Sequence, residues 1–254
     1  MQSLSFVRST ARVAVALMLG ASSLAAQALP TASQVIDKHV TAIGGRAGFE
    51  KLTSIKQIAQ MEIPAVGITA DAEISMGTPF KMAMRVNIPQ IGEMITGTDG
   101  EHAWSVNAMQ GPRLMAGKEL QQTREQADFL GGMLFVADRF STMTNEGIVD
   151  FNGEKAYKIK MVRKDSGNES WHYFSVASGL NIGSESATTT EMGTTQVSTL
   201  IKDYKVFGGL KFPTRSEANM GPQTIVLTVK DVQLNAVAAD AFAVPAAIQP
   251  LIKK

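Results

Sequence analysis

The sequence contains no cysteine, which removes disulfides, thiolate metal sites and cysteine nucleophiles from consideration. Without cysteine the chain also cannot carry the lipid anchor that a bacterial lipoprotein attaches just after its signal. Aromatic residues make up only 6% of it and there are three histidines, His39, His102 and His172. They form neither HxxxH nor HExxH spacing, so a zinc site would need to assemble from distant strands. No Gly-x-Ser-x-Gly elbow is present, which leaves a serine hydrolase unsupported. The glycine-rich stretch Gly44-Gly45-Arg46-Ala47-Gly48 lacks the lysine and hydroxyl of a phosphate loop and follows no strand; it reads as a helix stop and restart. Neither sign of charge dominates. The 24 Lys and Arg include Arg8 and Arg12 of the leader, so the rest nearly balance the 23 Asp and Glu. Such a balance gives no electrostatic reason to bind nucleic acid or an anionic surface.

What is present begins with an export signal over residues 1–28. Arg8 and Arg12 form its basic region, Val13 to Leu19 its short apolar core, and Ala26-Gln27-Ala28 a small-x-small cleavage site. The apolar run is too short to span a hydrocarbon core, which takes roughly 20 residues. Cleavage after Ala28 is expected, giving a soluble protein outside the cytoplasm, with Leu29-Pro30 at its start. Residues 29–254 then read as one domain, long enough for a buried core without disulfides.

Thr31 to Ile43 has helical spacing of Val35, Ile36, His39, Val40 and Ile43, with Thr31 or Ser33 as cap and Gly44-Gly45 as stop. A short turn of helix over Arg46 to Leu52 follows. The period then becomes two. Ala59, Met61 and Ile63; Ile68 to Met76; and Phe80, Met82, Met84, Val86 and Ile88 each alternate with polar or small residues. Further strands are expected over Ile91 to Thr98 and His102 to Val106, about the turn Asp99-Gly100. The pattern breaks at Lys118 to Asp128, a polar helix-forming segment, and at its apolar continuation Phe129 to Phe140. A bend is expected at Gly131-Gly132. Strands resume over Thr144–Phe151, Lys155–Val162, Ser170–Val176, Leu180–Thr188, Thr194–Lys202, Leu210–Asn219 and Gln223–Leu234. The tail from Asp240 has no clear period. Roughly a dozen strands at this spacing predict a mainly β fold, one large antiparallel sheet curled into a barrel or part of one.

The unusual feature is apolar area. Methionine is abundant, with 14 in the chain, and flexible thioethers recur on surfaces that accept varied apolar partners. Met82-Ala83-Met84 is a conceivable Cu(I) site, but its face also carries Phe80, Val86 and Ile88, which favours an apolar wall. Asp99 and Glu101 read as turn chemistry rather than an acid/base pair. A sheet too wide for two short helices to plug would keep a gap between strand faces and insertion. Each CH₂ of a ligand buried there would contribute about 0.8 kcal/mol.

Several segments, in order, resemble the periplasmic lipoprotein-carrier superfamily of LolA, LolB and RseB-like proteins, particularly the outer-membrane lipoprotein-sorting branch. They are Ala42-Ile43-Gly44-Gly45, Thr98-Asp99-Gly100-Glu101-His102-Ala103-Trp104, Tyr173-Phe174 with Ser178-Gly179-Leu180, Asp203-Tyr204-Lys205, Gly209 to Thr214, and Phe242-Ala243-Val244-Pro245. The resemblance implies an unclosed barrel wrapped around an N-terminal helix and a central helical insertion, both packed on the concave side. It implies a periplasmic, non-catalytic, monomeric protein without cofactor or metal, which shields the acyl chains of a lipid or lipoprotein in an apolar cavity. Candidate wall residues are Met61, Ile63, Met82, Met84, Trp104, Phe129, Met133 and Leu134. Arg85 and Arg113 are candidates for the arginine that holds such a carrier's lid closed. Two other classes stay open. One is a protein-interaction or envelope-sensor module using the concave face or a sheet edge. The other is an enzyme whose polar groups, His102 or His172 among them, converge inside the sheet.

Overall fold

The computed structural model describes residues 28–190 and 193–252; the segment read as an export signal, up to Gln27, lies outside the described residues. Helix α1 (Ala32–Ala42) opens with a capping box, in which the Thr31 hydroxyl accepts from the Gln34 N–H and the Gln34 side chain accepts from the Thr31 N–H. Its Val35, Ile36, His39 and Val40 face is buried. After the single turn α2 (Arg46–Phe49), six strands form a meander: β1 (Ser54–Ile63), β2 (Ile68–Gly77), β3 (Lys81–Ile88), β4 (Gly92–Thr98), β5 (Ala103–Asn107) and β6 (Gly111–Met115). Helices α3 (Gly117–Ala127) and α4 (Phe129–Leu134) follow. A second meander comprises β7 (Phe140–Phe151), β8 (Glu154–Arg163), β9 (Glu169–Ser175), β10 (Asn181–Thr190), β11 (Gly193–Phe207), β12 (Leu210–Met220) and β13 (Gln223–Leu234).

All 13 strands form one antiparallel sheet, ordered β6-β5-β4-β3-β2-β1-β13-β12-β11-β10-β9-β8-β7. The first and last strands of the chain pair at its middle, and β6 and β7, consecutive in sequence, are its two outer edges. A flat sheet of 13 strands would be about 58 Å wide at roughly 4.8 Å per spacing. Helix α3, with 11 residues, is only about 16 Å long. The link from β6 to β7 therefore requires the edges to curl toward each other, and it crosses the open side. Helix α3 accordingly touches β3, β4 and β5 on one flank and β10 on the other. Bulges assist the curvature, among them the shift at Ile58/Ala59 against β13 and another between Asn145 and Ile148 in β7. The sheet is thus an unclosed barrel, as expected.

Strand β6 escapes the alternation rule because Gly111 and Pro112 look like breakers. It is an edge strand, where a proline lacking N–H is tolerated. The helical break also differs from expectation. It falls at Asp128, and Gly131 and Gly132 lie inside α4. Asp128 caps α4 by accepting from the Gly131 N–H at 3.0 Å. A Cβ on Gly131 would stand 2.2 Å from the Asp128 carboxylate, so glycine here permits close approach rather than a bend.

The interior of the curl holds one apolar cluster. Phe49, Ile43, Leu134, Ile159, Met161, Phe174 and Phe212 are fully buried in it, together with Val35, Ile36, Ile55, Ala59, Phe129 and Val229. Each large side chain contributes about 1.5–3 kcal/mol in removing apolar surface from water. The outer face of the first meander is covered too. The C-terminal tail, with a 3₁₀ turn over Ala239–Phe242 and α5 (Gln249–Ile252), packs on β3 and β6. Phe242 sits over Gly77, where an added Cβ would lie 2.8 Å from its ring. Trp104, Phe242 and Ile248 are buried in this outer layer.

Candidate functional site

Strand register sorts the candidate wall residues. On the concave face Met76 stands opposite Met82, Ile74 opposite Met84, Ala72 opposite Val86, Val86 in turn opposite Met94, Met61 opposite Ala70, and Ile63 opposite Ile68. Met61, Ile63, Met82 and Met84 therefore share one surface. Trp104 does not join them. Its neighbour Ala103 pairs with Thr98, which pairs with Met82, so Trp104 turns to the outer face opposite Gly97. Alternation places a side chain on one of two faces but does not say which face is covered from where. Phe129, Met133 and Leu134 all lie on α4. Phe129 and Leu134 are buried in the interior cluster, and Met133 packs against it. The helices thus fill much of the concave surface.

Space remains along the seam between insertion and sheet. A cavity of about 220 Å³ lies beneath α3 and α4, against β9 and β10, bordered by Gln122, Glu125, Phe135, Asn168, Ser170, His172 and Ser186. One of about 240 Å³ lies beside Phe80, Leu120, Arg124 and Arg163. A third, about 300 Å³, is lined by Phe80, Phe129, Leu130, Leu134, Val136 and Arg139. Ligand pockets commonly measure about 300–1,000 Å³. Each space is therefore at or below that range. Of the candidate wall residues, Phe129 and Leu134 border one of these three spaces.

Three acidic side chains fasten the insertion. Glu119 on α3 pairs with Arg113 of β6, at 2.6 and 3.4 Å to two guanidinium nitrogens. Glu125 lies 4.0 Å from Arg163 at the end of β8 and accepts from the Asn168 amide. Asp128, buried, is 2.9 Å from Arg139, whose guanidinium stacks 4.8 Å over the Phe80 ring. Gln122 adds a fourth tie. Its amide donates to the Ala187 carbonyl and accepts from the Thr189 N–H, meeting β10 beyond Ser186, where pairing with β9 stops. Of the two candidate lid arginines, Arg113 sits at the insertion. Arg85 pairs with Glu93 on the outer face, far exposed.

The concave surface of the second meander carries a polar stretch beside the apolar Ile159 and Met161. Ser170, His172, Ser184 and Ser186 share that face by register. Its period-two hydroxyls were legible in the sequence, but attention to apolar alternation passed over them. His172 shares a hydrogen bond with the Ser170 hydroxyl at 3.1 Å, and its Nδ1 has no protein partner. Burial, then the charge of nearby His39, pushes His172 down to about 4. His39 is likewise pushed down to about 4 by burial. Its Nδ1 accepts from the Asn181 N–H and its Nε2 donates to the Met133 carbonyl, so it is a neutral clasp joining α1, α4 and β10. Both rings meet Phe135 edge-on. His102 sits in the β4–β5 turn, 3.4 Å from the Asp99 carboxylate. Among the described residues no group of three or more His, Asp or Glu converges as a metal site would require.

Comparison with solved structures places this geometry. A LolA superfamily protein from Nitrosomonas europaea superposes with a TM-score of 0.56, 12% identity, 85% of this chain and 99% of that one. The fold is LolA-like. An outer membrane lipoprotein-sorting protein domain from Vibrio parahaemolyticus superposes at 0.54 with 10% identity, over 88% of this chain and all of that one. A DUF1329 family protein from Desulfovibrio piger gives 0.56 with 8% identity, over 86% and 99%. No protein-family model matches the sequence, and no curated protein matches it. At such identities the LolA-like likeness concerns architecture alone, so the reading of function rests on the site.

Proposed function

We propose that this LolA-like protein is an envelope carrier that shelters the acyl chain of a lipid or lipidated protein beneath its helical insertion, without catalysing a reaction. The observation that carries this reading is the strap itself. Topology forces the β6–β7 link across the open side of an apolar curved sheet, and its first helix, α3, is held there chiefly by ion pairs and one amide. Partly exposed ion pairs contribute little, typically about 0–1 kcal/mol each, so α3 lifts at small cost while α4 stays anchored by the buried Phe129 and Leu134. Opening would join the seam cavities to the surface of Met61, Ile63, Met82 and Met84, with Phe129, Met133 and Leu134 at its inner margin. Periplasmic residence accords with the leader read from the sequence.

Residues 29–254, produced in the periplasm of a bacterial host and purified without detergent, are expected to show bound lipid by native mass spectrometry and organic extraction. Met84→Glu should abolish uptake while the circular dichroism of the fold persists. A clean apo mass that also fails to take up added lipid, or unchanged uptake by Met84→Glu, would refute the carrier. One observation favours a protein-interaction module instead. Among the described residues, the hydrogen-bonding edge of β10 beyond Ser186 is met by the Gln122 side-chain amide, so an extended segment of another protein would compete for it. Stoichiometric recovery of one protein with no lipid would favour that reading.

A further inference from the structure

Four turns lie side by side at one end of strands β12, β13 and β1 to β6. They are residues 220–223 (Met-Gly-Pro-Gln), 63–68 (Ile-Pro-Ala-Val-Gly-Ile), 88–92 (Ile-Pro-Gln-Ile-Gly) and 107–111 (Asn-Ala-Met-Gln-Gly). None of these residues is charged, in a chain where 19% are. The turns at the other end of the first meander carry Lys81, Asp99 and Glu101. The uncharged tips are also apolar and uncovered: Val66 is 59% exposed, Ile91 37% and Met109 80%. Directly behind them on the concave face come Ile63, Ile68, Ile88 and Met94, which lead to Met61 and Met84.

We infer that this rim docks on the surface of a lipid bilayer, with Val66, Ile91 and Met109 entering the boundary between headgroups and acyl chains. Three isolated tips on adjacent turns form no groove for a peptide, yet together they present apolar ends to a plane. The absence of charge selects the kind of surface. Within the turns no Lys or Arg attracts anionic headgroups and no Asp or Glu is repelled by them, and the flanking Glu93 is paired with Arg85, so attachment comes chiefly from apolar burial and not from electrostatics. The inference deepens the carrier reading, because the docked rim would set the apolar lane of the concave face against the membrane that supplies or receives the acyl chain.

The test is co-sedimentation with phosphatidylcholine vesicles, with and without phosphatidylglycerol, at low and high salt. Binding is expected to be equal in both lipids and both salts. The variant Val66→Asp/Ile91→Asp/Met109→Asp should lower the partition coefficient about tenfold or more at an unchanged melting temperature. The control Val206→Asp, an exposed apolar site at the opposite turn between β11 and β12, should leave it unchanged. Failure of the parent protein to bind, binding that vanishes at high salt or needs anionic lipid, or equal binding by the triple variant would overturn the inference. The lipid content of the same preparations separates the two readings. A triple variant that still carries lipid but no longer binds vesicles fails only in docking, whereas a parent that binds vesicles and never carries lipid contradicts only the carrier.

Discussion

His39 offers a direct test of how the interior is held together. It is 2% exposed, and its two ring nitrogens satisfy one backbone N–H and one backbone carbonyl. His39→Leu keeps the apolar contacts with Phe135 and Phe174 but orphans the Asn181 N–H and the Met133 carbonyl. Each orphaned group costs about 1–3 kcal/mol, so the variant should lose about 2–6 kcal/mol at pH 7.5. The pH dependence sharpens the prediction. Burial lowers the folded-state value of His39 from 6.5 to about 4, so between these values the unfolded chain binds the extra proton. Stability from this group is therefore complete above about pH 6.5 and declines as pH falls toward 4. At about 1.36 kcal/mol per pH unit, a change from pH 7.5 to 5.5 removes, through His39, about 1.3 kcal/mol from the parent protein and nothing from the variant. His172, also depressed by burial, adds a loss of the same sign to both. Asp99 does not interfere. Although its burial acts upward, hydrogen bonds from the His102 and Glu101 N–H groups lower it overall, so it titrates below this window. Guanidinium denaturation at the two pH values is the assay. The cost of His39→Leu should shrink by about 1.3 kcal/mol at pH 5.5. An equal cost at both pH values would refute the neutral-clasp assignment.

Other expectations concern single contacts. Gly131→Ala drives a methyl into the Asp128 carboxylate and should destabilise by about 1–3 kcal/mol, whereas Gly132→Ala, with nothing within 4 Å, should be neutral or slightly stabilising; thermal melts of the pair decide this. Gln122→Ala should speed amide exchange across α3 and at Thr189 while changing global stability by only about 1 kcal/mol, and unchanged exchange would show that the amide is no tie. Phe242→Ala should cost about 3–5 kcal/mol in thermal melts, since its buried ring packs over Gly77; a variant with parental stability would mean the outer layer is dispensable.

The strands were legible where one face is dry and the other wet. β2 and β3 alternate cleanly because a two-residue period is imposed by the backbone itself, and so the concave partners Met61, Met82 and Met84 could be grouped without coordinates. Local capping was equally legible at Thr31, whose box involves residues three apart. The break at Asp128 was missed because two glycines outrank one aspartate as breakers, although the aspartate caps the helix and the glycine makes room for it. Strand β6 was hidden by Pro112, which is acceptable only because the strand is an edge.

By itself the sequence determined the one-sheet architecture, the place of the interruption and the apolar character of one strand face, since these follow from periods of two and 3.6 residues along a contiguous chain. Only the tertiary structure decided that β6 and β7 are the outer edges, so that the interruption must bridge the mouth. The same holds for Trp104, which turns to the outer face and not inside, and for Arg113 rather than Arg85 meeting the insertion. These outcomes depend on which segments meet across long stretches of chain, and that pairing is set by the curl of the whole sheet rather than by any local pattern.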